Sequence, residues 1–211
     1  MIDLTEDRRD TLAELLNIGF GRSMASLAEL MGMYIQLSVP SVRIVHPRQI
    51  LEALSGSAAG REEVTLIEQT FRGAFNGEAV LALPGEASHT LARLLAADCG
   101  FNPDMEPDKL HLEAMLELGN MVIGACLGKF AEILESTISF NPPQVFLDSV
   151  RLDRLRQMVP LPDQGTLLVL THFRLEREEV TGYMFIFIGG DALESLFRAV
   201  DRFLDDLAET G

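Results

Sequence analysis

Glu14 and Asn17 stand three residues apart, and so do Glu117 and Asn120. On a helix, residues at i and i+3 project from one face about one turn apart. Each pair therefore offers a carboxylate and, beside it, a side-chain amide that both donates and accepts hydrogen bonds. Neither pair supplies a nucleophile, so covalent catalysis by the pair alone is not its chemistry. A pair of this kind can grip a cationic group of a partner through Glu and orient a water through Asn. Water-orienting amides speed phosphoryl hydrolysis, where positioning and charge stabilisation supply most of the rate. Gly21 and Gly124, one turn after each asparagine, keep the surface low for a close approach of another backbone. A plain solvated helix face has the same composition, and the residue types alone leave both readings open.

The two pairs belong to a longer repeat. Asp10 and Glu113, Glu14 and Glu117, Asn17 and Asn120, Gly21 and Gly124, and Pro40 and Pro143 are all related by one offset of 103. Five positions held in register over some thirty residues mark an internal duplication. The expected organisation is a single domain over 1–211 built of two repeats, about 1–102 and 103–211.

Elements that would carry these residues follow from periodicity. Helical spacing runs from about Arg8 to Met33, with Thr5, Glu6 and Asp7 suited to cap its start. Leu12, Leu16, Phe20, Ser23, Leu27 and Met31 fall on one side, and Asp10, Glu14, Asn17 and Gly21 within an arc of about 60° on the other. Strands are expected over 34–39 and 41–45 around Pro40, a short helix over 48–54, and a loop over 55–60. Strands over 63–75 and 78–83 join at Asn76-Gly77, a hairpin signal, and a helix runs from Pro84 to Ala97. A connector over 99–107 separates the halves.

The order then recurs. A long helix over 109–135 carries Glu113, Glu117, Asn120 and Gly124 on one arc, with Met115, Gly119, Val122, Cys126, Phe130 and Ile133 opposite. Strands over 137–140 and 144–149 flank Pro142-Pro143, followed by a short helix over 151–159, strands over 166–175 and 183–188, and a closing helix over 191–207. Antiparallel hairpins with helices at their ends predict an α+β fold. The duplication predicts a pseudo-two-fold arrangement in which both long helices bury their apolar faces on one antiparallel sheet and turn the Glu/Asn arcs outward.

Composition narrows the function classes. The 211 residues contain 32 Asp and Glu against 17 Lys and Arg, a formal net charge of -15. Such a field does not attract nucleic-acid phosphates or anionic lipid, and a basic face on a protein partner suits it better. Two cysteines, Cys99 and Cys126, make no disulfide framework. The four histidines (46, 89, 111 and 172) have no metal-ligand spacing, so no metal or cofactor is expected on this chain. The start of the chain lacks a basic region followed by an apolar core, and there is no run of 18 apolar residues. The expected location is cytoplasmic. Gly19 and Gly21 lie in a helix pattern with no preceding strand, unlike a dinucleotide site.

The pattern Asp-or-Ser, three residues, Glu, two residues, Asn, 22 residues, Pro resembles the signature of the CheC phosphatases of bacterial and archaeal chemotaxis. Asp10, Glu14, Asn17 and Pro40 fit it throughout, and Glu117, Asn120 and Pro143 fit the second copy, where Glu113 replaces Asp or Ser. Asn17-Ile18-Gly19-Phe20-Gly21 is similar to the family's Asn-Ile-Gly-x-Gly, from which Asn120-Met121-Val122-Ile123-Gly124 departs. The resemblance implies hydrolysis of the phospho-aspartate on a CheY-type response regulator that itself supplies Mg²⁺. It implies that Glu14 and Glu117 contact the partner, at its active-site lysine, while Asn17 and Asn120 align the attacking water. It also implies a second candidate partner, a CheD-type deamidase. Two other readings compete: a module that binds a phosphorylated regulator or a deamidase without hydrolysis, and a structural part of the flagellar switch, against which the absence of an appended C-terminal domain weighs.

Overall fold

The computed structural model describes residues 4–31, 35–45, 64–98, 105–150, 166–175 and 180–210. The short helices expected over 48–54 and 151–159, the loop over 55–60 and most of the connector lie outside the described residues, as do Cys99 and His46.

Helix α1 (Glu6–Met31) opens where the sequence places its cap: Thr5 Oγ1 accepts the Arg8 backbone N–H at 3.3 Å, with Glu6 and Asp7 in the first turn. After α1 come β1 (Ile35–Leu37), β2 (Ser41–Val45), β3 (Val64–Gly73), β4 (Gly77–Pro84) and α2 (Gly85–Asp98). The same order follows as α3 (Pro107–Ile133), β5 (Ile138–Phe140), β6 (Gln144–Val150), β7 (Thr166–Leu175), β8 (Val180–Gly189) and α4 (Asp191–Thr210). Pro107 sits in the first turn of α3, where its missing N–H costs no helical bond.

The strands form one antiparallel eight-stranded sheet in the order β1-β7-β8-β4-β3-β5, with β2 also on β7 and β6 also on β3. Both strands that follow α1 therefore pair with β7 from late in the chain, Ile35 opposite Leu175 and Val42 opposite Val169. Reciprocally, β5 and β6 pair with β3 from early in the chain, Phe71 opposite Phe140 and Ile67 opposite Val145. The β3–β4 and β7–β8 hairpins meet where β4 pairs β8, at the centre of the sheet. The fold is α+β, with helices against an antiparallel sheet.

One face of the sheet carries the main core. Ile67, Phe71, Leu81, Val169, Phe173 and Ile186 lie in one cluster with Leu12, Leu16 and Phe20 of α1 and Met115, Val122 and Phe130 of α3. The two long helices touch each other as well as the sheet. A Cβ at Gly19 would lie 3.2 Å from the Phe130 backbone nitrogen, and Ser23 Oγ lies 2.9 Å from the Gly19 carbonyl oxygen and 2.8 Å from that of Ala125. Positions advance along α1 as they retreat along α3, so the pair is antiparallel. By length and composition α3 could cross a membrane, but half of its most apolar stretch is buried inside this fold. Arg8 anchors the start of α1 to α4 through a two-point bond to Asp201 (3.1 and 2.7 Å) and lies 5.1 Å above the Phe197 ring.

The hairpin at Asn76-Gly77 forms, but its turn is wider than a two-residue one. Phe71 pairs with Gly77, Gly73 adopts φ +146°, and Asn76 Oδ1 accepts the Gly73 N–H at 3.0 Å. Phe75 in this turn is buried, 6.0 Å from the Phe71 ring and 5.9 Å from Phe130 of α3. Burying that aromatic in the core outweighs the tight turn that the Asn-Gly dipeptide favours.

The opposite face holds Leu66, Val80, Leu168 and Phe185. Glu78 is buried on this face too, and burial together with the adjacent Glu68 carboxylate pushes its carboxyl from an ordinary 4.5 up to about 8. Its folded form holds a proton that the unfolded chain releases above 4.5. The stability this group contributes is therefore fully present below pH 4.5 and is lost as pH rises toward about 8, by up to about 1.4 kcal/mol per unit. Denaturant titrations at pH 5 and 8 should show this loss in the wild type and a flatter profile in Glu78→Gln.

Candidate functional site

Burial sorts α1 and α3 into the arcs that spacing predicts. Leu12, Leu16, Phe20 and Ser23 are buried, whereas Asp10, Glu14, Asn17 and Gly21 are exposed. On α3, Met115, Gly119, Val122, Cys126 and Phe130 are buried, and Glu117 and Asn120 are exposed. Glu113 is half-buried, with its carboxylate 3.8 Å from Lys109 one turn earlier. Asp10 accepts from Arg9 at 3.1 Å. Glu14 and Glu117 make no ion pair among the described residues, so both carboxylates are available to a cation from outside.

The antiparallel crossing of the helices decides how the two pairs relate. The helices cross near Ser23 and Ala125. Asn17 and Asn120 each precede that crossing by five or six residues, on helices that run in opposite directions. At 1.5 Å of rise per residue they are separated by roughly 16–18 Å along the helix axes. They form two separate sites at opposite ends of one helix pair.

Around Asn120 the site is complete among the described residues. Glu113, Leu116, Glu117 and Asn120 of α3 form one wall of an open depression of about 660 Å³, and Phe140, Asn141, Pro142 and Pro143 form the other. The wall comes close because residue 119 is glycine: a Cβ there would run into the Ile67 side chain of β3 and stand 3.7 Å from Pro143 Cβ. Pro143 belongs to the segment between β5 and β6, which the β3 edge holds. Asn141 donates its backbone N–H to the Thr70 carbonyl at 3.0 Å, and its Nδ2 donates to Thr70 Oγ1 at 2.6 Å. Pro143 thus lies against α3 at Gly119 and lines the depression opposite Glu117 and Asn120.

Gln69 of β3 lies beneath this depression, and sequence reasoning missed it. It is buried, and its Nε2 lies 3.0 Å from the Asn141 carbonyl oxygen and 3.4 Å from Asn120 Oδ1. A signal was present: Ile67, Gln69 and Phe71 share the core-facing register of β3, and an amide in that row needs partners.

The first site has the same frame with different chemistry. Ser38 donates its backbone N–H to the His172 carbonyl at 2.9 Å, matching Asn141 and Thr70, and Thr171 Oγ1 donates to the Ser38 carbonyl at 2.9 Å, matching Gln69 and Asn141. Pro40 is buried, and Val39 beside it is 71 % exposed. Asn17 makes no hydrogen bond to a side chain of the sheet among the described residues. Among the same residues, no group of three or more His, Cys, Asp or Glu is placed to hold a metal ion.

No protein-family model matches the chain. It is 24% identical over 202 residues to the CheY-P phosphatase CheC of Bacillus subtilis, covering 93% of this chain and 95% of that protein. It is 26% identical over 178 residues to the flagellar motor switch phosphatase FliY of the same organism, covering 84% of this chain; the match spans just under half, 45%, of FliY. In fold it is similar to Thermotoga maritima FliY, with a TM-score of 0.70 at 20% identity over 96% of this chain and all of that one. It is also similar to a chain in the complex of CheX with CheY, BeF3 and Mg²⁺ from Borrelia burgdorferi, with a TM-score of 0.51 at 14% identity over 82% of this chain and 97% of that one.

Proposed function

We propose that this chain, similar to the CheC phosphatases in sequence and in fold, hydrolyses the phospho-aspartate of a CheY-type response regulator in the cytoplasm. The observation that carries the proposal is the outward Glu/Asn pair on each long helix, its glutamate without an ion pair among the described residues, with Pro143 lining the depression beside the second pair. The names of both curated relatives support a phosphatase, and the name of CheC together with the CheX–CheY complex supports a CheY-type partner.

In this reading Glu14 or Glu117 docks on a cationic side chain of the regulator, at its active-site lysine, and Asn17 or Asn120 enters the regulator's site. The amide holds a water in line with the phosphorus. The water oxygen forms the new P–O bond as the bond to the aspartate oxygen breaks, leaving a free carboxylate and inorganic phosphate that takes up both of the water's protons and passes one of them to solvent. Mg²⁺ belongs to the regulator and neutralises phosphoryl charge there. This chain contributes positioning, which is where most of the rate in phosphoryl transfer originates. The net charge of -15 favours approach to a cationic face and makes association weaker at high salt. A CheD-type deamidase is a second proposed partner through the same family relationship.

The test is acyl-phosphate decay. A phosphorylated CheY-type regulator should lose phosphate faster with the chain present, and a BeF3-loaded regulator should bind it. Binding without acceleration would leave a docking module, and neither binding nor acceleration would return the Glu/Asn arcs to a solvated surface.

A further inference from the structure

Gln69 joins three parts of the second site that are remote in sequence. A backbone carbonyl only accepts hydrogen bonds, so the Gln69 atom facing the Asn141 carbonyl at 3.0 Å must be its NH₂ group. That group's second N–H points at Asn120, 3.4 Å away, and Asn120 must therefore present Oδ1 inward. The Asn120 Nδ2 group is then turned outward, into the depression lined by Glu117 and Pro143. The amide of an exposed asparagine would otherwise rotate freely about its last torsion and swap donor for acceptor. Gln69 itself cannot move easily, being 1 % exposed and fixed in the β3 backbone between β4 and β6.

We propose that Gln69 is a positioning residue for the second site: it holds Asn120 in the one amide orientation that presents Nδ2 to the incoming partner's phosphoryl or water oxygen and leaves one Oδ1 lone pair for the water. Thr171 occupies the matching place beneath the first site. It makes the equivalent bond to the Ser38 carbonyl, but its hydroxyl has one proton and that bond uses it. Asn17 is therefore oriented without this support, and removing Gln69 affects one site and not the other. The kinetic consequence rests on the phosphatase reading; the orientation of Asn120 does not.

Gln69→Met keeps the length and volume of the buried side chain and removes its amide. In an Asn17→Ala background, which leaves only the second site, it should lower kcat for regulator dephosphorylation roughly tenfold with KM within about twofold. In an Asn120→Ala background, which leaves only the first site, it should change neither by more than about twofold. Equal losses in both backgrounds would show a structural effect on the whole fold and overturn the proposal, as would no loss in either. Side-chain amide relaxation supplies a readout independent of activity. The Asn120 NH₂ order parameter should fall below about 0.6 in Gln69→Met while the α3 backbone stays near 0.85. An unchanged Asn120 order parameter would overturn the positioning role. If the wild type accelerates no regulator, the phosphatase reading fails, and the relaxation result still decides whether Gln69 holds Asn120.

Discussion

Replacing both Asn17 and Asn120 by alanine returns regulator dephosphorylation to the regulator's own rate, a loss of about 10²-fold or more, with binding within about threefold of wild type. Each asparagine is exposed on a helix whose opposite face is in the core, so its removal leaves the apolar packing intact, and Asn120→Ala gives up in addition only the 3.4 Å contact with Gln69. What it removes is a dipole aimed at charge and water in the transition state, and deleting one such group typically costs 10²–10³ in rate. Because the sites lie at opposite ends of the helix pair, each single variant should retain the turnover of the other site, and the two losses should combine additively in rate. Glu14→Ala with Glu117→Ala should behave differently, raising KM while kcat at saturation stays near wild type, since a docking carboxylate acts on ground and transition states alike. Rapid measurement of phosphate release against regulator concentration separates the two patterns. A double asparagine variant with undiminished kcat would remove these residues from the mechanism.

Glycine substitutions in the long helices should have opposite signs according to what faces each position. In an exposed helix interior, Gly→Ala stabilises by about 0.5–1 kcal/mol, because alanine loses less backbone entropy. Gly124 and Gly128 face open space, so Gly124→Ala and Gly128→Ala should gain that amount. Gly119 faces the Ile67 methyl on a β-branched side chain held in the central sheet, and Gly119→Ala forces an overlap there. Overpacking of that kind costs about 1–3 kcal/mol, which exceeds the propensity gain. Gly119→Val should be worse, because the two methyls on its Cβ extend further into the same wall. It should also push α3 from Pro143 and impair the second site more than the first. Denaturant midpoints check the stabilities. The position next to Asn120 offers a further separation: Gly124→Ala should be more stable yet bind the regulator more weakly, if the partner's backbone closes on that surface.

Much of the site is legible in the sequence. Helical geometry is local, so the spacing of Asp10, Glu14 and Asn17 and of Glu113, Glu117 and Asn120 determined which residues share a face, and burial agrees with both arcs. Strand alternation likewise placed β3, β4, β7 and β8, and the recurrence of glutamate, asparagine and proline pointed to the same helix faces twice. The Asn76-Gly77 dipeptide marked a hairpin, but its turn opened to bury Phe75, because a distant aromatic partner, Phe130, is worth more than the local preference.

Only the tertiary structure decided which strands are neighbours. Alternation states which face of a strand is buried and is silent on what lies beside it, so nothing local indicated that β1 and β2 would lie on β7 while β5 and β6 lie on β3. That crossing of early and late strands brings Gln69 under Asn120, 51 residues away. It also sets Pro143 against Gly119 and gives the two sites unlike floors, an amide with two protons beneath one and a hydroxyl with a single proton beneath the other. The outward residues are a property of each helix alone, whereas Gln69 and Thr171, the polar groups of the sheet that bond Asn141 and Ser38, come from strands of the opposite half. Long-range pairing energies depend on the whole sheet, and no window of sequence contains them.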